Sequence, residues 1–186
     1  MRRLIVFNQV TVDGYFASRS GDMGWAHQTK PDAEMQKFIG DNASGGGELL
    51  FGRVTYEMMQ AFWPTPAAMQ QMPEVAGPMN ARQKIVVSRT LQEPSWQNTR
   101  LLRGELVAAV RELKASPGPE VAILGSGSVV AQLAGARLID EYQVLILPVA
   151  IGAGRTMFEG APKLDLRLTR SRTFGNGCAF LVYEPA

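Results

Sequence analysis

The chain has 186 residues, 46% of them hydrophobic, which suits one domain spanning 1–186 with a sizeable core. A formal charge of +2 argues against a nucleic-acid partner, and no run of apolar residues reaches the roughly 18 that a membrane span needs. One cysteine, Cys178, allows no internal disulfide and fits a reducing, cytoplasmic setting, and it reads as a small buried hydrophobe.

Arg2-Arg3 is followed by a short apolar run, so the N-terminus reads as a first strand, Leu4–Val10, and not as a signal peptide. Asp13-Gly14 is a turn signal, with Asp13 also a candidate for facing a substrate. Next comes a segment holding Trp25, the only histidine His27, and two carboxylates, Asp32 and Glu34. Trp25 could stack on a flat heterocycle or fill the core, and His27 could donate a proton or stay solvated. A helix is expected over Pro31–Asp41, with Pro31 in its first turn. A strand Glu48–Phe51 and a helix Arg53–Phe62 follow.

Trp63 to Arg82 is the least regular stretch, with Pro64, Pro66, Pro73, Pro78, Met69, Met72 and Met79. A connection of that length is often functional, and methionine suits an adaptable binding wall. The plainer reading is a proline-rich excursion packed on the core. Trp63 at its start is a candidate substrate contact. Strands at Lys84–Ser88, Val121–Leu124 and Tyr142–Pro148 then alternate with helices at Glu105–Ala115 and Ser128–Ala134. Such alternation predicts an α/β domain of three α/β/α layers with a mostly parallel sheet. Leu164, Leu166 and Leu168 alternate with polar residues, and Phe174-Gly175-Asn176-Gly177 marks a turn. Leu164–Thr173 and Cys178–Tyr183 therefore read as a C-terminal antiparallel hairpin, making the sheet mixed. Arg167, Arg170 and Arg172 read as solvated positions on it.

The chemistry concentrates at strand ends. After Val121–Leu124 comes Gly125-Ser126-Gly127-Ser128-Val129, a glycine turn opening a helix. Backbone N–H groups and the helix dipole at such a junction attract a phosphate. A second junction has the same build, Phe51-Gly52-Arg53-Val54-Thr55, and a third strand end carries Ser88-Arg89-Thr90. Open α/β sheets bind ligands beyond the carboxyl ends of their strands, so three such ends suit one large polyanion. The G-x-G-x-x-G fingerprint is not met, because its third glycine is Val130, and no P-loop is present. No metal site is expected.

Val12-Asp13-Gly14-Tyr15-Phe16-Ala17, Phe51 to Glu57, Lys84 to Leu91, Leu124-Gly125-Ser126-Gly127, and Leu138 through Pro148 to Gly154 occur in that order. In this set the chain resembles the dihydrofolate reductase-like superfamily, and more narrowly the reductase domain of the bifunctional riboflavin-biosynthesis deaminase–reductase and its stand-alone relatives. The resemblance covers nearly the whole chain. It implies a reductase that moves a hydride from NADPH to a flat heterocycle of pterin or pyrimidine type. Gly52, Arg53 and Thr55 would hold the adenosine phosphate region, Ser88 and Arg89 would flank the 2′-phosphate, and Gly125, Ser126, Gly127, Ser128 and Val129 would cradle the pyrophosphate. For Arg53 and Arg89 the competing reading is an exposed surface arginine. In dihydrofolate reductase an aromatic residue stands where this chain has Val130, so dihydrofolate is expected to be a poor substrate. The substrate carboxylate lies early in the first helix, and counting back from Phe38 points to Glu34 before Asp32; both also suit a helix N-terminus. Relatives of this type often pair, and a homodimer through the apolar strand Tyr142–Leu147 is expected. A cofactor-binding module without catalysis and an oligomerisation domain are the alternative functions.

Overall fold

The computed structural model describes residues 1–27 and 29–186. The strands in chain order are β1 (Leu4–Thr11), β2 (Glu48–Gly52), β3 (Lys84–Val87), β4 (Thr99–Leu102), β5 (Val121–Leu124), β6 (Glu141–Leu147), β7 (Leu166–Thr173) and β8 (Ala179–Pro185). The helices are α1 (Ala33–Ser44), α2 (Arg53–Phe62), α3 (Pro66–Gln71), α4 (Pro73–Ala81), α5 (Leu106–Ala115) and α6 (Gly127–Gly135). All eight strands form one sheet in the order β4-β3-β2-β5-β1-β6-β8-β7. β4 through β6 run parallel, and β8 is antiparallel to both its neighbours. This is the mixed α/β sheet with a C-terminal hairpin that the alternation of elements implied.

The central strands are apolar on both sides because both faces are covered. Leu4, Val6, Val121 and Ile123 point to one face and join Val110, Val130 and Leu133 from α5 and α6. Ile5, Leu49, Phe51 and Ala122 point to the other, where Tyr56, Val75 and Met79 come down from α2 and α4. A third cluster at the hairpin side gathers Trp25, Met35, Leu145, Phe174, Cys178 and Phe180. Cys178 is fully buried there, and burial, with Asp32 nearby, pushes its thiol above the usual range. No helix among the described residues is long and apolar enough to cross a membrane.

Four expectations need correction. The stretch from Trp63 to Arg82 is not irregular but folds as α3 and α4. Two of its prolines are helix openers: Pro66 stands in the first turn of α3, where the Thr65 hydroxyl accepts from the Ala68 N–H, and Pro73 opens α4, while Pro78 lies inside α4. Pro31 lies outside its helix, because Asp32 is the N-cap and α1 begins at Ala33. The short edge strand β4 went unpredicted; its residues Thr-Arg-Leu-Leu are exposed or half-buried and carry no clear alternation. Finally, the segment expected to dimerise is interior: β6 is hydrogen-bonded to β1 on one side and β8 on the other, so Tyr142–Leu147 offers no free edge. The free edge on that side is β7, with Arg167, Arg170 and Arg172 and a bulge between Leu168 and Arg170, features that discourage edge-to-edge pairing.

Candidate functional site

Three neighbouring strands deliver the two glycine junctions and the Ser88-Arg89 pair to one ledge. Gly52 ends β2 in register with Val87 of β3, and Leu50 of β2 pairs with Ile123 of β5. The ends of β3, β2 and β5 therefore stand side by side, carrying Ser88-Arg89, Gly52-Arg53 and Gly125-Ser126.

The turn after β5 is conformationally demanding. Gly125 has φ 61° and Ser126 φ 57°, two left-handed residues in succession. The second is not a glycine, so something must hold it. Four groups do. The Ser126 N–H donates to Thr55 Oγ1 at 3.1 Å, and the Gly52 N–H donates to Ser126 Oγ at 2.8 Å. The Ser126 carbonyl accepts from the N–H groups of Val129 and Val130. The Gly125 N–H donates to Oδ1 of the buried Asn8 at 2.6 Å, while Asn8 Nδ2 donates back to the Gly125 carbonyl at 3.3 Å. The two glycine junctions that the sequence shows as separate are thus one hydrogen-bonded unit, and Gly52 and Thr55 lock the turn. A β-carbon on Gly125 would also come 2.9 Å from Thr55 Cγ2.

This accounting narrows the anion cradle. The N–H groups of Gly125, Ser126 and Val129 already have partners, whereas those of Gly127 and Ser128 have none among the described residues. Both line a large cavity. Gly127 is small for a reason the sequence did not disclose: a β-carbon there would lie 2.6 Å from the Phe16 ring. Phe16 covers the start of α6 and is itself held by its N–H donating to the Arg155 carbonyl at 3.0 Å, beside a bridge between Ala17 and Arg155.

The cavity, about 1230 Å³, lies between the sheet and α1, α2 and α4 and opens at the ledge. It exceeds the usual ligand cleft of roughly 300–1,000 Å³. Phe7 and Leu124, partners across β1 and β5, form its floor beside Gln143 of β6, the register partner of Phe7. Gln143 is buried, and its Nε2 donates to Glu141 Oε1 at 2.6 Å, which leaves its carbonyl oxygen without a donor among the described residues. The sequence reading passed over Asn8 and Gln143. The only available signal was a polar residue inside an otherwise apolar strand pattern.

The carboxylates separate clearly. Asp32 lines the cavity at the N-terminus of α1; its Oδ1 accepts from the Met35 N–H at 2.8 Å, and its Oδ2 accepts nothing from the described residues. A β-carbon on Gly175 would touch that oxygen at 2.9 Å, so the hairpin turn packs directly on it. Glu34, the preferred candidate from residue counting, does not line the cavity. It is exposed and pairs with Arg172 of β7 at 2.5 Å. Two residues on, the helix has turned far enough to swing Glu34 off the face that Asp32 occupies.

Other candidates are also displaced. Asp13 is exposed and ties loops together, its Oδ2 accepting from the N–H groups of Gly152 at 2.8 Å and Ile151 at 3.1 Å. The Thr11 hydroxyl, with those backbone donors, holds its carboxyl below the usual carboxylate range. Trp25 is buried in the hairpin-side core rather than in the cavity wall, and its Nε1 has no partner among the described residues. Trp63 and His27 do line the cavity. Arg53 does not; it forms an exposed pair with Glu57 along α2 at 2.7 Å. Ser88 is buried, its Oγ accepting from the N–H groups of Thr90 and Leu91, and it fixes the turn that presents Arg89. Arg89 is exposed and has no carboxylate partner among the described residues.

Comparison with known proteins agrees with this fold. The family model described as the RibD C-terminal domain matches residues 2–180. An uncharacterised Bacillus subtilis protein, YyaP, is 26% identical over 184 residues, covering 98% of this chain and 95% of its own. Among solved structures, a Shewanella sp. PV-4 protein named for riboflavin biosynthesis is similar with TM-score 0.74 at 22% identity over 99% of both chains. A pyrimidine reductase-like protein from Corynebacterium diphtheriae is similar with TM-score 0.65 at 14% identity, over 100% of this chain and 92% of its own. Enterococcus faecalis dihydrofolate reductase, complexed with NADP(H), is similar with TM-score 0.64 at 14% identity, over 98% of this chain and 96% of its own.

Proposed function

Starting from the fact that this chain belongs to the RibD C-terminal domain family, we propose that it is an NADPH-dependent reductase of a flat heterocycle of pterin or pyrimidine type. The observation that carries the reading is the pair of N–H groups, Gly127 and Ser128, that have no partner among the described residues and line a cavity also lined by Asp32. The cofactor would lie along the ledge. Its pyrophosphate would sit at Gly127 and Ser128, its adenosine end toward β2 and β3, and its nicotinamide inward over Phe7 and Gln143. NADPH supplies the hydride when bound.

The chain's own residues do the rest. Asn8, Thr55 and Ser126 hold the turn rigid, so the two donors are preorganised for a phosphate. Arg89 presents a guanidinium with no carboxylate partner among the described residues just past the end of β3, suited to a 2′-phosphate, with Arg53 on the adjacent strand end. Phe16 shields the start of α6 from water. The Gln143 carbonyl can accept from a ring N–H and orient the heterocycle. Asp32, fixed by capping α1, is the group placed to hold and deliver a proton next to the acceptor atom.

The test is cofactor choice. NADPH and NADH are titrated by tryptophan fluorescence, with Trp63 in the cavity wall. NADPH should bind much the tighter. Arg89→Ala should weaken NADPH by about 1–3 kcal/mol, the range of charge-assisted hydrogen bonds, and leave NADH nearly unchanged. Arg53→Ala should have the smaller effect, because Arg53 is engaged by Glu57. Equal losses for the two cofactors would remove the 2′-phosphate assignment.

A further inference from the structure

β6 begins Glu-Tyr-Gln-Val, so Glu141 and Gln143 share one face of the strand, with Tyr142 on the other. Both polar residues are buried in an interior strand. Buried polar groups need partners, and these two bond each other, Gln143 Nε2 donating to Glu141 Oε1 at 2.6 Å. Gln143 lines the cavity and Glu141 does not. Glu141 is held in turn by two guanidiniums. Arg3, just before β1, donates to its Oε2 at 2.9 Å. Arg170 on β7 reaches across β8 to within 3.5 Å of its Oε1. The bulge in β7 sets that reach, because it places Arg170 rather than Thr169 opposite Val182, the residue of β8 that pairs with Gln143. A carboxylate between two guanidiniums accepts hydrogen bonds and donates none. It therefore takes the nitrogen end of the Gln143 amide and leaves the carbonyl end for the cavity. That oxygen has no donor among the described residues, yet it retains accessible surface.

We propose that Glu141 is a positioning residue that fixes the Gln143 amide, so that the cavity floor accepts a hydrogen bond and the site selects heterocycles presenting a ring N–H or amino hydrogen to it. The inference rests on the reading of this cavity as the cofactor and heterocycle site. An amide free to turn would meet a donor or an acceptor equally well. Gln9, which also lines the cavity and makes no side-chain hydrogen bond among the described residues, is such an amide. Gln143 is not, because turning it would set its carbonyl oxygen against the Glu141 carboxylate. The substrate class that follows is a lactam or an amino-substituted ring. An oxygen isostere of that ring brings a lone pair against the Gln143 carbonyl and is rejected. Glu141 thus acts on the choice of substrate without touching it, through charges brought from the start of β1 and from β7.

An isosteric pair of ligands tests this: isocarbostyril, a fused lactam with one ring N–H, and isocoumarin, the lactone with oxygen in its place. Both are titrated by calorimetry into the protein saturated with NADPH. The lactam should bind about tenfold to a hundredfold the tighter. Glu141→Gln should erase or reverse that ratio, with NADPH affinity unchanged. Arg3 draws the one oxygen of the introduced amide, whose nitrogen then faces Gln143 and turns the Gln143 carbonyl away from the cavity. A role confined to stability would lower the melting temperature and leave the ratio alone. Equal affinity for the two ligands in the natural sequence overturns the inference while the heterocycle reading stands. A ratio that survives in Glu141→Gln overturns the part given to Glu141. If neither ligand binds the NADPH-loaded protein, the heterocycle reading fails and the inference falls with it. Should Glu141→Gln not fold, the side-chain amide proton resonances of Gln143 in the natural sequence decide. A downfield proton that persists when the lactam binds supports the fixed amide, and its loss overturns it.

Discussion

In the upper half of the cavity, at the ledge, the backbone makes much of the surface; in the lower half, beneath α1 toward Glu120, side chains make most of it. The upper half depends on two left-handed residues, Gly125 and Ser126, each locked by hydrogen bonds from a different strand or helix. The lower half depends on a small residue, Ala122, lying between Ile5 and Leu49 under a helical roof. The difference teaches where rigidity is needed. A cradle for a phosphate works only if its N–H groups cannot turn away, so it is over-determined. A wall of packed apolar side chains needs only volume, and volume tolerates exchange of one hydrophobe for another.

The largest effect should come from the upper half. Asp32→Asn keeps the helix cap, because asparagine caps as well as aspartate. Turnover should nonetheless fall about 10²–10⁴-fold, the usual share of general acid–base catalysis, with NADPH affinity unchanged. Glu34→Gln should be mild, since its exposed pair with Arg172 is worth at most about 1 kcal/mol. Steady-state turnover of both variants checks this, and the reverse ranking would move proton supply outside the cavity.

The wall of the lower half has one unusual support. Lys84, fully buried at the start of β3, donates to the carbonyls of Asn80, Arg82 and Gln97 and so ties the end of α4 to the sheet. Burial, with the Arg82 charge nearby, pushes its ammonium down from 10.5 to about 8. Between those values the unfolded chain binds the extra proton, so stability should rise with pH, by up to about 3 kcal/mol. Tyr142 has the opposite sign. Burial, then Asp140, pushes its phenol up from 10.0 to about 12, so it stays protonated in the fold while the unfolded chain ionises. Stability should then fall as pH climbs from 10 toward 12. Denaturant titrations across alkaline pH should show the rise and then the fall; Lys84→Met should remove the rise alone.

The smallest effect sharpens the contrast directly. Asn8→Leu removes both partners of Gly125 and should cost about 1–3 kcal/mol of stability, with a loss of NADPH affinity, because the turn is no longer held. Met79→Leu, a similar change in volume in the lower wall, should cost less than about 1.5 kcal/mol and leave NADPH binding alone. Comparable losses of NADPH affinity in the two variants would erase the distinction between the halves.

Most of the fold was legible because strands buried on both faces and amphipathic helices leave strong patterns, as at Val121–Leu124 and Arg53–Phe62. The glycine junctions were legible for a related reason, since positive φ and close approach leave few residue choices. What stayed hidden depended on residues far apart in sequence. Asn8 meets Gly125 only because β1 lies beside β5. Gly127 is small because of Phe16, which returns to it through the loop pairing at Ala17 and Arg155. Glu34 and Asp32 differ by two residues, and only the start of α1 at Ala33 decides which faces the cavity. Pro66 and Pro73 read as part of an irregular excursion because their place at helix starts is a matter of register.

The central claim is that Gly127 and Ser128 hold a dinucleotide pyrophosphate at the mouth of this cavity. A crystal structure of the protein with NADPH tests it most directly. The account predicts pyrophosphate oxygens within hydrogen-bond distance of the Gly127 and Ser128 N–H groups, the 2′-phosphate at Arg89, and the nicotinamide over Phe7 with Asp32 across the cavity. A cofactor bound elsewhere on the sheet, or a ledge that stays empty at saturating NADPH, would contradict it.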